Sequence, residues 1–137
     1  MSAPARNVLG FLLACGVALG ITVLLGQLAD QVTMPAGLDV TNIDQVKAAL
    51  ERGEFPFLSL ALVLSGWLLA AYTGGRIAHR VGRSRGAALA FTIVFTAYTI
   101  HYLTLLPHPV WMWIGGALAV PLVALGASGE SLTVRGL

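Results

Sequence analysis

The stretch from Phe55 to Gly86, FPFLSLALVLSGWLLAAYTGG followed by RIAHRVGRSRG, decides how this chain is built. Its first part, Phe55–Gly75, contains no Asp, Glu, Lys or Arg. Directly after it come Arg76, Arg80, Arg83 and Arg85. About 20 apolar residues, at about 1.5 Å rise each, cross a hydrocarbon core of about 30 Å. A charge-free run that ends in a group of arginines has the pattern of a helix leaving a membrane on its cytoplasmic side.

Three more charge-free stretches accompany it: Asn7–Ala29, Gly86–Leu106 and Pro107–Gly129. The last two are divided by Pro107-His108-Pro109, which cannot sit inside a helix because two N–H groups are missing so close together. In lipid every backbone N–H and C=O must be satisfied within the segment, which makes each stretch a helix. The apolar/polar alternation of a membrane β-strand is absent. The expected fold is all-α: an integral membrane four-helix bundle, up-down-up-down, forming a single membrane domain over 1–137. The spans are expected at about 8–29, 55–76, 86–106 and 110–128.

Composition agrees. Of 137 residues, 57% are hydrophobic and 10% charged, with a mean hydropathy of +0.83. A soluble domain carries about a quarter charged residues, which excludes a cytosolic globular protein. The net charge of +2 is too small for a nucleic-acid binder, so no nucleic-acid partner is expected. The single cysteine, Cys15, excludes a disulfide framework, a cysteine redox pair and a Cys-rich metal cluster.

The arginines set the orientation. Arg6 precedes the first span, Arg76–Arg85 join the second to the third, and Arg135 follows the fourth; only Lys47 and Arg52 fall on the other side. The positive-inside bias puts both termini and the basic loop 76–86 in the cytoplasm. The compact topology and the arginine-biased loop suggest a bacterial plasma (inner) membrane. The first segment reads as a retained span, since no small-x-small cleavage site follows it. Ahead of Leu12-Leu13-Ala14-Cys15 only Val8–Leu12 would remain as a lipoprotein h-region, short of the ~7–15 residues needed.

The outer loop, Asp30–Glu54, is expected to carry one short amphipathic helix over about 41–52. Thr41 and Asp44 suggest its start, Gly53 its stop, and Ile43, Val46 and Leu50 its apolar face. Such a helix lies on the membrane surface or caps the bundle.

Four groups of residues are candidates for function. Arg76, Arg80 and Arg83, spaced i, i+4, i+7 and followed by Arg85, suit anionic lipid headgroups or an acidic partner surface, beside their ordinary role in topology. In the third span Thr92, Thr96 and Thr99 form a hydroxyl stripe next to an aromatic stripe of Phe91, Phe95, Tyr98 and Tyr102. With Tyr98 the threonines could line a solute path. Otherwise each hydroxyl bonds its own i−4 carbonyl or a neighbouring helix. His101 and His108 fall near Asp30 at the outer rim, where a His–carboxylate cluster could bind a divalent metal or relay protons. Finally, small residues permit close helix contacts: Gly16 and Gly20 in the first span, Gly66 with Ala70 in the second, and Gly115 with Ala119 in the fourth, ahead of a kink at Pro121.

No acidic or basic residue occupies the middle of any span, whereas proton- or ion-coupled transport usually needs one. Ser59 and Ser65 lack a histidine at bilayer depth to activate them. Neither a Walker loop nor HExxH occurs. Catalytic residues, a metal and a cofactor are therefore not expected. The leading expectation is an accessory or scaffold-type membrane protein acting through helix–helix or lipid contacts. Its expected partners are the bilayer, anionic lipid at the arginines, and a second copy or another membrane protein. The alternative is a small oligomeric transporter or channel; a membrane enzyme using the outer His/Asp residues comes last. An accessory protein should leave a small-residue or apolar face unfilled, a transporter should show polar residues at a shared axis, and an enzyme needs an open cavity holding His101 and a carboxylate.

Overall fold

A computed structural model describes residues 2–129, so Arg135 lies outside the described residues. Among the described residues the protein is all-helical and contains no strand. The helices are α1 (Ala3–Thr33), α2 (Ile43–Glu51), α3 (Phe57–Gly82), α4 (Arg85–Leu105) and α5 (Val110–Ala127). All except α2 are long and apolar enough to cross a membrane.

α3 lies at the centre, and glycines determine how its neighbours approach. A Cβ on Gly10 of α1 would come within 2.5 Å of the Gly82 backbone nitrogen, and one on Gly66 would meet Leu25 Cβ at 3.1 Å. These two contacts bring the start of α1 to the end of α3, so the pair runs antiparallel. On another side of α3, Gly74 receives the ring of Phe91 from α4. On a third, Gly75 lies against the Ala124 carbonyl of α5, and Leu64 fills the space over Gly115. The core between them holds Trp67, Phe91, Phe95, Leu103, Met112 and Val120. Trp67, near the middle of α3, is buried, with its ring edge-on to Tyr102 at 5.6 Å.

The basic segment is more helical than its sequence suggests. α3 continues through Arg76 and Arg80 to Gly82, and the connection to α4 is only Arg83 and Ser84. The loop expected at 76–86 is thus mostly helix. Nothing between Arg76 and Val81 breaks a helix, and the contacts at Gly74 and Gly75 hold this turn against α4 and α5. Arg83 ends α3 in the left-handed conformation (φ 50°, ψ 32°). The Ser84 side chain then caps α4 by accepting from the Ala87 N–H at 3.3 Å.

α5 contains a π-helical turn, Gly115–Ala119, just before Pro121. Proline has no N–H and its ring crowds the carbonyl of residue i−4. The helix responds by widening, and the Val120 N–H reaches back five residues to the Gly115 carbonyl.

α2 begins one residue later than Thr41 implies. Asn42 is its cap, accepting from the Asp44 and Gln45 N–H groups, while Thr41 bonds Asp39 instead. At its end Gly53 is left-handed (φ 68°), with Gly53 N–H to Leu50 O and Glu54 N–H to Ala49 O. This is the Schellman arrangement, which favours glycine. Ala49 is the buried residue of α2, whereas Ile43 is 67% exposed and does not share the inward face with Val46 and Leu50.

Candidate functional site

Beneath α2, at the end of the bundle where α1 finishes and α3 begins, lies a cavity of about 130 Å³. Asp30 from α1, Ser59 from α3, Tyr102 from α4 and His108 from the α4–α5 turn converge on it, with Val46 and Leu50 of α2 forming its lid. At this volume the cavity is smaller than the ~300–1,000 Å³ of a typical small-molecule site, though polar groups do converge on it. The outer rim expected from sequence is therefore assembled in part: Asp30 and His108 share the cavity, but His101 is exposed and does not line it. His101 falls on the outward side of α4, one residue before the inward-turning Tyr102.

His108 is held firmly. Its Nδ1 is 3.0 Å from the Leu106 carbonyl oxygen, and its ring is 5.7 Å from that of Tyr102. A carbonyl only accepts, so Nδ1 carries the proton in this contact. Burial pushes the imidazole below its ordinary value, against the opposing pull of the Leu106 and Leu103 carbonyls. Among the described residues no group of three or more His, Cys, Asp or Glu gathers to hold a metal ion.

No protein-family model, curated protein or solved structure matches the chain. Its sites are therefore read from geometry alone.

On α4 the threonine stripe faces the bundle, but its hydroxyls are engaged in packing. Thr92 Oγ1 donates to the Ala88 carbonyl at 2.9 Å, as a threonine in a helix does. Thr99 Oγ1, fully buried, lies 2.9 Å from the Thr96 carbonyl and 3.2 Å from that of Gly116 across in α5. Thr96 is the exception, since its buried Oγ1 has no partner. The aromatic stripe turns inward too: Phe91 and Phe95 stack at 5.5 Å, and Phe95 and Tyr98 at 5.8 Å. This face of α4 is filled by rings and by threonine hydroxyls, of which those of Thr92 and Thr99 bond backbone carbonyls and that of Thr96 bonds none.

The four arginines do not form one stripe. Arg76 folds back along α3, its guanidinium 5.6 Å over the Tyr72 ring and 3.3 Å from the Tyr72 hydroxyl. Arg80 is exposed on the same helix. Arg83 leaves the helix through its left-handed φ, and Arg85 is the first residue of α4. The i, i+4, i+7 spacing fails at its last member because α3 ends at Gly82.

The glycine pairs separate sharply. Gly66 and Gly115 are covered by Leu25 and Leu64, while Gly16 and Gly20 have nothing within 4 Å. Both lie on the outer face of α1 among exposed Leu12, Leu13, Val17, Leu19, Val23 and Leu24. Sequence spacing alone cannot distinguish these pairs, since all match small-xxx-small.

Sequence reasoning did not single out His79 or Arg6. Each has a buried side-chain nitrogen without a hydrogen-bond partner, Nδ1 in His79 and Nε in Arg6.

Proposed function

We propose that this is a multi-pass membrane protein of accessory or scaffold type, acting through lateral helix contacts rather than catalysis. In this reading the helices form an up-down-up-down bundle in a bacterial plasma membrane. Both termini and the Arg76–Arg85 segment are cytoplasmic, and α2 lies at the outer surface. The antiparallel contacts of α1 with α3, and the positive-inside distribution of arginine, support that arrangement.

One observation carries the functional reading: α1 presents an open small-residue face. It buries the smallest share of its span among the four long helices, and Gly16 and Gly20 lie uncovered on its outer side. Every glycine of α3 is in close contact, whereas Gly16, Gly20 and Gly26 of α1 meet nothing within 4 Å. In lipid, helices associate through close backbone approach at small residues, and G-x-x-x-G is the best-known device for it. A transmembrane helix of another protein is the occupant this face suits. The transporter alternative is weaker because Thr92 and Thr99, which would line its path, bond carbonyls instead.

Native mass spectrometry of the tagged protein, released gently from its own host's membrane, tests this. A heteromeric complex that Gly16→Ile or Gly20→Ile disperses is the expected result. A homo-oligomer that survives both substitutions, or a monomer, would refute the accessory role through α1.

A further inference from the structure

The cavity beneath α2 gathers polar groups that the protein itself leaves unpaired. Ser59 is only 3% exposed, yet its hydroxyl makes no hydrogen bond with another described residue. Asp30 has neither an ion pair nor a side-chain hydrogen bond among the described residues, and the Tyr102 hydroxyl bonds none of them. His108 directs its Nδ1 proton to the Leu106 carbonyl, which leaves Nε2 with its lone pair. All four side chains line one space of about 130 Å³. A second hollow of about 290 Å³, rimmed by Gly53, Pro107 and Pro109, adjoins it, and the two share Leu50, Phe55, Leu60 and His108 as walls. A small molecule thus has a way in beside His108.

We propose that this cavity binds a small primary alkylammonium ion, its charged head among Asp30, Ser59, Tyr102 and His108 Nε2 and its alkyl tail against the apolar walls. The polar groups on offer are chiefly acceptors: a carboxylate and an imidazole lone pair, with two hydroxyls that accept as well as donate. An ammonium brings three N–H donors and the positive charge that a carboxylate among apolar walls calls for. The walls beside them, Val46, Leu60 and Val63 included, suit a hydrocarbon tail. An anion would be repelled by Asp30, and a neutral molecule would leave that charge without a partner. A zinc-like metal is poorly served, since no third His, Cys, Asp or Glu among the described residues joins Asp30 and His108. Size narrows the choice: a cavity of ~150 Å³ takes up one benzene molecule, so about 130 Å³ suits an amine of about four to six heavy atoms. The site lies apart from Gly16 and Gly20, and stands or falls independently of the lateral-contact reading.

The test titrates n-propylammonium chloride into the full chain in a non-ionic detergent, with the methionine methyl groups labelled with carbon-13 for NMR. Met34 lines the cavity and reports on it. Its methyl signal, assigned with Met34→Leu, is expected to shift saturably. Half-saturation should fall at roughly 0.1–10 mM, given the ceiling on affinity for about four heavy atoms. Potassium propionate and propanol, of similar size, should cause no saturable shift. Asp30→Asn should weaken binding about tenfold, as losing one hydrogen bond to a charged group does, and Tyr102→Phe about threefold. Val46→Phe, which fills the cavity from its lid, should abolish binding, whereas Leu122→Phe, exposed on α5, should leave it unchanged. If Asp30→Asn fails to fold, Tyr102→Phe and Val46→Phe carry the same comparison. An equal response to propanol would overturn the charge assignment. Saturation by zinc chloride but not by the amine would overturn it in favour of a metal site. No response to any probe would mean that the cavity takes up water alone, and unchanged affinity in a Val46→Phe protein that unfolds like wild type would overturn the location.

Discussion

Thr99 on α4 donates its hydroxyl toward the Gly116 carbonyl of α5 at 3.2 Å, and Pro121 explains why that carbonyl is available. In a regular α-helix the Val120 N–H would bond Gly116, but in the π turn it bonds Gly115. The donor five residues beyond Gly116 is Pro121, which has no N–H. The carbonyl is thus orphaned by its own helix and rescued by a neighbouring one. Thr99→Val should cost about 1–2 kcal/mol, the upper part of the range for interhelical bonds in membranes, because it also strands a buried acceptor. In a Pro121→Ala background, where the helix can return to α spacing and supply its own donor, the same substitution should cost clearly less. Thermal unfolding of the four proteins in one detergent gives the coupling; additive losses would show that the π turn and Thr99 are unrelated.

The glycines make a second, graded prediction. Gly10→Ala and Gly75→Ala would drive a Cβ into the Gly82 backbone nitrogen and the Ala124 carbonyl oxygen. Backbone cannot yield as a side-chain tip can, so each should destabilise by at least the ~1–3 kcal/mol of ordinary overpacking. Gly16→Ala and Gly20→Ala meet nothing, and should leave the isolated protein as stable or raise it by about 0.5–1 kcal/mol through the gain in helix propensity. Thermal shift in detergent checks both halves. If all four lose stability alike, α1 packs through a different face.

Helix existence was legible because charge-free length is a one-dimensional property. Arg85–Leu105 lies where the run Gly86–Leu106 places it, and Phe57–Gly82 begins within the run Phe55–Gly75 but continues past its end. What sequence missed depends on three-dimensional context. Arg76 counts as a span boundary by charge, yet it folds over Tyr72 and the helix runs on. Thr41 and Asn42 are both acceptable caps, and only the competing Asp39 bond to Thr41 decides for Asn42. His101 and His108 look equivalent in sequence, but a single helical position turns one outward while the Pro107–Pro109 turn carries the other over the cavity. The Thr99–Gly116 bond was foreshadowed by Pro121, although its partner could not be named without the fold.

His108 should make the protein sensitive to mild acid. Burial lowers its folded pKa below the unfolded value of about 6.5, so the unfolded chain binds a proton more readily than the folded one. Above that unfolded value both states are neutral and nothing is lost. As pH falls through about 6.5 the unfolded state is favoured, and the loss levels off once the folded imidazole protonates as well. His108→Gln should flatten that part of the profile. Melting temperatures across this window decide it: an acid loss that persists in His108→Gln would assign the sensitivity to another group.

Arg83 holds a conformation that suits glycine better. Its φ of 50° is the only positive value among the described non-glycine residues, and left-handed backbone costs an L-residue about 1–2 kcal/mol. Arg83→Gly removes that cost but adds the entropy of a freer unfolded chain, so a net gain of up to about 1 kcal/mol is expected. Arg83→Lys, which keeps both charge and Cβ, should show no such gain. Arg83→Asn, which tolerates the left-handed region and lacks the charge, should fall between the two. If charge rather than backbone governed this position, Lys would match wild type while Gly and Asn both lost stability. Thermal unfolding of the three variants separates these outcomes. A stabilised Arg83→Gly would also mean that the arginine holds this turn at a conformational cost.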